Sequence, residues 1–194
     1  MAKRILTNLD KTDDQQGIIG TALSGSSQWT TEALRDTGFI INWLRHDQDD
    51  FFQMNFQFTH RKKIQSPITS IHLHYMPAGS VDGNVFISYS YTWVNIDGTI
   101  PALTSWTTST VTIPVAGADQ YKHKIANIVA NILAPSNETA SSILLIKCSR
   151  LGSSSGSDTY TSNKTGGTAS ANFGILYMDA HILTDRAGTD TELT

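Results

Sequence analysis

The chain has 194 residues, 39% of them hydrophobic and only 16% charged, with a formal net charge of −3; an ordinary globular domain is about 25% charged. That length suits one domain able to bury roughly 70% of the surface its unfolded form exposes, so folding requires neither a metal nor a disulfide staple. The weakly acidic balance, with one dense basic run at Arg61-Lys62-Lys63 that reads as a solvated turn, argues against a phosphate-neutralising nucleic-acid face.

Residues 1–28 differ from the rest. They hold the polar run from Asp10 to Gly17, the short apolar piece Gly17-Ile18-Ile19-Gly20 and the linker-like Ser24-Gly25-Ser26-Ser27. Such a segment cannot build its own core. It is expected either as a disordered terminus or as an extended arm that orders on a partner, with Gly17, Ile18, Ile19 and Gly20 as attachment residues. The domain proper is then 29–194. No signal segment opens the sequence and no stretch approaches 18 apolar residues, which predicts synthesis in a cytosol without membrane insertion.

From Asp36 onward the pattern alternates. Phe52, Met54, Phe56 and Phe58 share one face of a period-2 strand, and Val85, Ile87, Tyr89, Tyr91 and Trp93 do the same later. Further strands are predicted at Phe39–Leu44, Ser70–Tyr75, Ser109–Val115, Ser142–Cys148 and Phe173–Leu183, separated by turn signals such as Asp82-Gly83-Asn84. Seven or eight strands at this spacing predict a mainly β protein, an antiparallel jelly-roll-like β-sandwich. One amphipathic helix is expected as well. Ile125, Ile128, Val129, Ile132 and Leu133 follow helical spacing, with Asp119 as N-cap and Pro135 as stop. The stretch from Gly152 to Ala171 is almost entirely Ser, Thr, Gly and Asn and predicts a long loop.

The best chemical signal is His72-Leu73-His74. On a strand these imidazoles share a face, and Asp179 and His181 form a second such pair. If the strands are neighbours, His72, His74, His181 and Asp179 offer a transition-metal site; otherwise the rings hydrogen-bond in a polar layer or a subunit contact. In a trimer, a His-x-His strand beside the three-fold axis would present six imidazoles. No other cofactor is expected. Cys148 lies in an apolar run and reads as a small core residue. Asp47, Asp49 and Asp50 read as a solvated turn, and Gly152-Ser153-Ser154-Ser155-Gly156 lacks the strand–turn–helix setting of a nucleophile elbow. Trp29, Trp43, Trp93 and Trp106 suit core packing better than sugar-stacking platforms.

Three groups of residues carry a resemblance. They are the aromatic strand leading into Thr59-His60-Arg61, then Ile71-His72-Leu73-His74-Tyr75 with Tyr89-Ser90-Tyr91-Thr92-Trp93, and last Cys148-Ser149-Arg150 and Asp158-Thr159-Tyr160 with Leu176-Tyr177-Met178-Asp179-Ala180-His181 and Thr184-Asp185-Arg186-Ala187-Gly188-Thr189. Over residues 35–194 the sequence resembles small jelly-roll structural proteins of tailed bacteriophages, which assemble as trimers. The resemblance implies a non-enzymatic virion component: a head fibre, decoration, tail or neck protein held on the capsid or tail through its N-terminal arm. Its partners would be its own copies and other virion proteins. The alternatives are a module of the same particle that binds a host receptor or surface glycans, and a cupin-like enzyme with His72, His74 and His181 around one ion inside a barrel.

Overall fold

The computed structural model describes residues 11–20, 30–33, 37–58, 62–161 and 171–184. Its strands are β1 (Lys11–Gln16), β2 (Ile18–Gly20), β3 (Thr30–Ala33), β4 (Ile40–Leu44), β5 (Phe51–Gln57), β6 (Ile68–Pro77), β7 (Gly83–Val94), β8 (Thr107–Val115), β9 (Lys124–Ile132), β10 (Ile143–Arg150) and β11 (Phe173–Thr184). They form two antiparallel sheets. One runs β3-β4-β11-β6-β9, with β1 also paired to β11; the other runs β2-β5-β10-β7-β8. Among the described residues, helical structure is limited to two 3-10 turns, Leu103–Ser105 and Gly117–Asp119.

Period-2 alternation builds the core between the sheets. Phe52, Met54, Phe56, Val85, Ile87, Leu144, Ile146 and Cys148 point inward from one sheet, against Ile71, Leu73, Tyr75, Phe173, Met178 and Ala180 from the other. Each large aliphatic or aromatic side chain buried there contributes about 1.5–3 kcal/mol. Cys148 is part of this packing, and burial pushes its thiol far above the ordinary range, so it is no nucleophile.

Where a helix is expected at 119–135, the chain forms the strand β9 over Lys124–Ile132, after a 3-10 turn that ends at Asp119. Ile125 and Leu133, two members of the supposed apolar stripe, are 56% and 76% exposed, while Ile128 and Ile132 face the core. The physical reason is irregularity in β9: its register against β6 shifts between Ile71 and His72, and Asn131 takes a left-handed φ of 56°. A shifted register brings Ile128 and Val129 both against the core, which imitates i, i+3, i+4 spacing. The β-branched composition favours a strand, because such side chains lose rotamer freedom in a helix.

Residues 11–20 do not stand off as an arm. β1 runs along β11 from Lys11↔Thr184 to Gln16↔Asp179, and β2 along β5 from Ile18↔Asn55 to Gly20↔Gln53. Between them Gly17 donates its N–H to the Met178 carbonyl at 3.0 Å, and a Cβ there would lie 2.8 Å from the Phe56 ring. The expected attachment residues therefore bridge the two sheets through backbone pairing. The rest of the 1–28 segment lies outside the described residues.

At the end of β10 the wholly buried Arg150 satisfies all five of its N–H donors. Nε and Nη2 donate to Asp158 at 2.8 Å each, Nη2 also to the Tyr160 carbonyl at 2.8 Å, and Nη1 to the carbonyls of Leu44 and Ala171 at 3.0 and 2.7 Å. Asp158 also accepts the Phe86 N–H, and the Tyr160 hydroxyl bonds both backbone groups of Gly79. The first part of the Ser/Gly-rich stretch is thus bolted to the sandwich; 162–170 lie outside the described residues.

Two outcomes follow. Arg150→Ala leaves Asp158 as an uncompensated buried charge and should cost about 3–5 kcal/mol in urea unfolding. Deleting residues 1–20 removes β1 and β2, so the melting temperature should fall by about 2–4 °C for each kcal/mol lost; an unchanged melting temperature would show that this segment adds nothing to the fold.

Candidate metal centre

The site lies on the outer face of the first sheet, on the side of β6 and β11 opposite the core. In β6, Ile71, Leu73 and Tyr75 point inward, so His72 and His74 point outward. In β11 the buried set changes phase, from Phe173 and Ile175 to Met178, Ala180 and Ile182, across a register irregularity between Ile175 and Tyr177. That shift turns Tyr177, Asp179 and His181 to the outer face. Asp179 pairs directly with His72, and Asp14 of β1 pairs with His181. The strands are neighbours, as a shared site requires.

Asp179 is the hub. Its Oδ2 accepts from His74 Nε2 at 2.7 Å, and its Oδ1 lies 3.4 Å from His72 Nδ1 and 3.6 Å from His181 Nε2. The rings of His72 and His181 meet edge to face at 4.3 Å, and His181 Nε2 lies 3.1 Å from Asp14 Oδ1. One ligand atom each from His72, Asp179 and His181 falls within 4.8 Å of the others. Oδ1 is shut off from solvent and has no hydrogen-bond partner among the described residues.

His74 has a different place from the one its spacing suggests. Nδ1 lies 2.7 Å from His123 Nε2, and the ring stacks on Tyr177 at 3.9 Å. Both ring nitrogens of His74 are thus engaged, one by Asp179 and the other by His123. His74 orients the carboxylate rather than offering a ligand atom, and six imidazoles around a three-fold axis do not fit this geometry. Nor does a cupin-like site: the imidazoles face outward, while apolar side chains fill the space between the sheets.

Sequence spacing alone misses two participants, Asp14 and His123. Asp14 sits in the polar run read as an arm. His123 immediately precedes β9, and only a strand reading of that segment would have set it beside His74.

The other candidates have structural work. Asp50 is buried and paired with Arg45 at 2.8 Å. Asp49 accepts from the backbone of Ser153 and Ser154 and from the Ser153 hydroxyl. Burial alone would raise its carboxyl, but the hydrogen bonds from Ser154 and Ser153 outweigh this and hold it below the usual value. Lys62, expected in a solvated turn, is buried instead, 2.7 Å from Glu138. Trp43 is buried and Trp93 packs against the main core, whereas Trp106 donates to the Pro101 carbonyl; Trp29 and Thr59–Arg61 lie outside the described residues.

No protein-family model matches the chain, and no curated protein matches it. Among solved structures it is similar to the carbohydrate-binding module TmCBM61 in complex with beta-1,4-galactotriose, at 12% identity and a TM-score of 0.28 over 76% of this chain and 70% of that one. A likeness at that score carries no argument about either fold or ligand.

Asp179→Ala leaves the buried Nε2–H of His74 without its acceptor. The metal-free variant should lose about 1–3 kcal/mol in denaturant unfolding.

Proposed function

We propose that this chain is a non-enzymatic structural subunit of a bacteriophage particle, a jelly-roll protein that packs against further copies of itself as a trimer on the capsid or tail. The virion part of this reading rests on the sequence resemblance. The jelly-roll part is supported by the connectivity: from β4 to β11 the chain changes sheet at every step except the β7–β8 hairpin, the habit of two interlocked Greek keys.

The observation that carries self-assembly is a pair of edge strands. β8 ends one sheet, β9 ends the other, and the two touch along one side of the sandwich. There is no charged residue from Thr107 to Ala118 or from Ile125 to Asn137. Ile125 and Leu133 are exposed on this side, and Ile96, Ile100 and Leu103 are exposed in the β7–β8 connection. Monomeric proteins guard such edges with charge or cover, and interfaces deplete charge at their centres. A second copy of the same neutral, apolar surface is the occupant that fits.

A second reading is favoured by a cleft of about 680 Å³ at this end of the molecule, whose lining includes Tyr91, Thr99, Thr107, Asn131, Leu133 and Asn137 and no charged residue. Hydroxyl, amide and aromatic groups without charge suit a neutral glycan. Leu133 belongs to both surfaces, so an oligosaccharide and a second copy would compete for it.

Light scattering on the purified chain should return three times the monomer mass, and Ile125→Lys with Leu133→Glu should reduce it to one. A wild-type protein that stays monomeric at micromolar concentration, with saturable binding on a glycan array lost in Tyr91→Ala, would replace the first reading with the second.

A further inference from the structure

We propose that His72 Nδ1, His181 Nε2 and Asp179 Oδ1 bind one transition-metal ion of the zinc class, that Asp14 closes its coordination, and that the ion clamps the N-terminal strand β1 onto the sandwich.

The argument starts from the buried oxygen. A carboxylate oxygen excluded from water needs a partner, and the loss is larger for a charged group than a neutral one. Asp179 Oδ1 has no hydrogen bond among the described residues, yet it lies near two imidazole nitrogens at 3.4 and 3.6 Å. Those distances are long for hydrogen bonds. They match the edge of a tetrahedron around an ion with ligand bonds of about 2.0–2.1 Å, which is roughly 3.3–3.4 Å. Asp14 Oδ1, 3.1 Å from His181 Nε2, supplies a fourth ligand atom, the second oxygen, at a similar edge.

The donor set selects the ion. Two imidazoles with carboxylates suit zinc and its neighbours, whereas calcium and magnesium take all-oxygen shells. The carboxylate is already held in place: His74 binds Oδ2 of Asp179 and is itself held by His123. Such outer partners fix the ligand's orientation and typically change metal affinity 10–100-fold. Three protein ligands come from the adjacent strands β6 and β11, while Asp14, the most exposed of the group, comes from β1. Four protein ligands make a closed, structural site rather than one with an open catalytic position. Its consequence is mechanical: the ion joins β1 to β6 and β11 by bonds that a chelator can remove.

The full chain, purified without an affinity tag, should be titrated with zinc chloride by calorimetry. One equivalent per chain is expected, with the melting temperature rising by roughly 5–10 °C at a hundredfold excess over Kd and falling back with EDTA. Cobalt in place of zinc should give the intense visible bands of a tetrahedral ion. Hydrogen exchange across residues 11–16 should slow on zinc addition in the wild type. In Asp14→Ala, a surface change that leaves the core intact, affinity should fall at least tenfold and the protection of 11–16 should vanish. His72→Ala with His181→Ala should abolish binding. Less than a tenth of an equivalent in the wild type, or equal binding by that double variant, would overturn the site. Zinc binding that leaves exchange at 11–16 unchanged would overturn the clamp.

Discussion

The rest of the molecule hangs on Arg150 and the carboxylate it holds. A guanidinium with no exposure cannot be tolerated unless every N–H is used, and here five donors meet five acceptors on three separate pieces of chain. Leu44 ends β4, Asp158 and Tyr160 belong to the loop after β10, and Ala171 stands just before β11. The loop is therefore brought back to the sandwich at a defined place, and β11 starts from a fixed carbonyl. The His/Asp cluster inherits this: Asp179 and His181 can face His72 only because β11 enters beside β6 in one register.

The two faces of the first sheet make opposite demands. The inner face is apolar and close-packed; the outer face carries imidazoles and carboxylates that need partners. A strand satisfies both as long as its period is 2, and a bulge lets one strand exchange the faces midway. β11 uses that exchange near Leu176, so that Phe173 and Ile175 fill the core while Tyr177, Asp179 and His181 reach the outer face. The second sheet, by contrast, has two long uncharged strands, β7 and β8. Its β8 edge meets that of β9 along one side of the sandwich.

Much of the fold was legible because alternation is a local signal. Phe52, Met54, Phe56 and Phe58, or Leu144, Ile146 and Cys148, point to a half-buried strand whatever their partners are. The pairs His72–His74 and Asp179–His181 were legible for the same reason, since residues two apart on a strand must share a face. β9 was misread because an irregular strand no longer has period 2. The segment 11–20 was missed because its strands are short and polar, and their pairing depends on backbone groups of β11 and β5 rather than on apolar side chains of their own.

The sequence by itself determined a mainly β chain, its main strands and the residue types able to bind an ion, because these follow from composition and from contacts between near neighbours. Only the tertiary structure decided that β6 lies against β11, that Asp14 arrives on β1, and that His74 gives its second nitrogen to His123. Each of these joins residues tens of positions or more apart. Strand pairing over such separations is set by which edges and faces remain to be covered once the core has formed, a property of the whole chain and not of any segment.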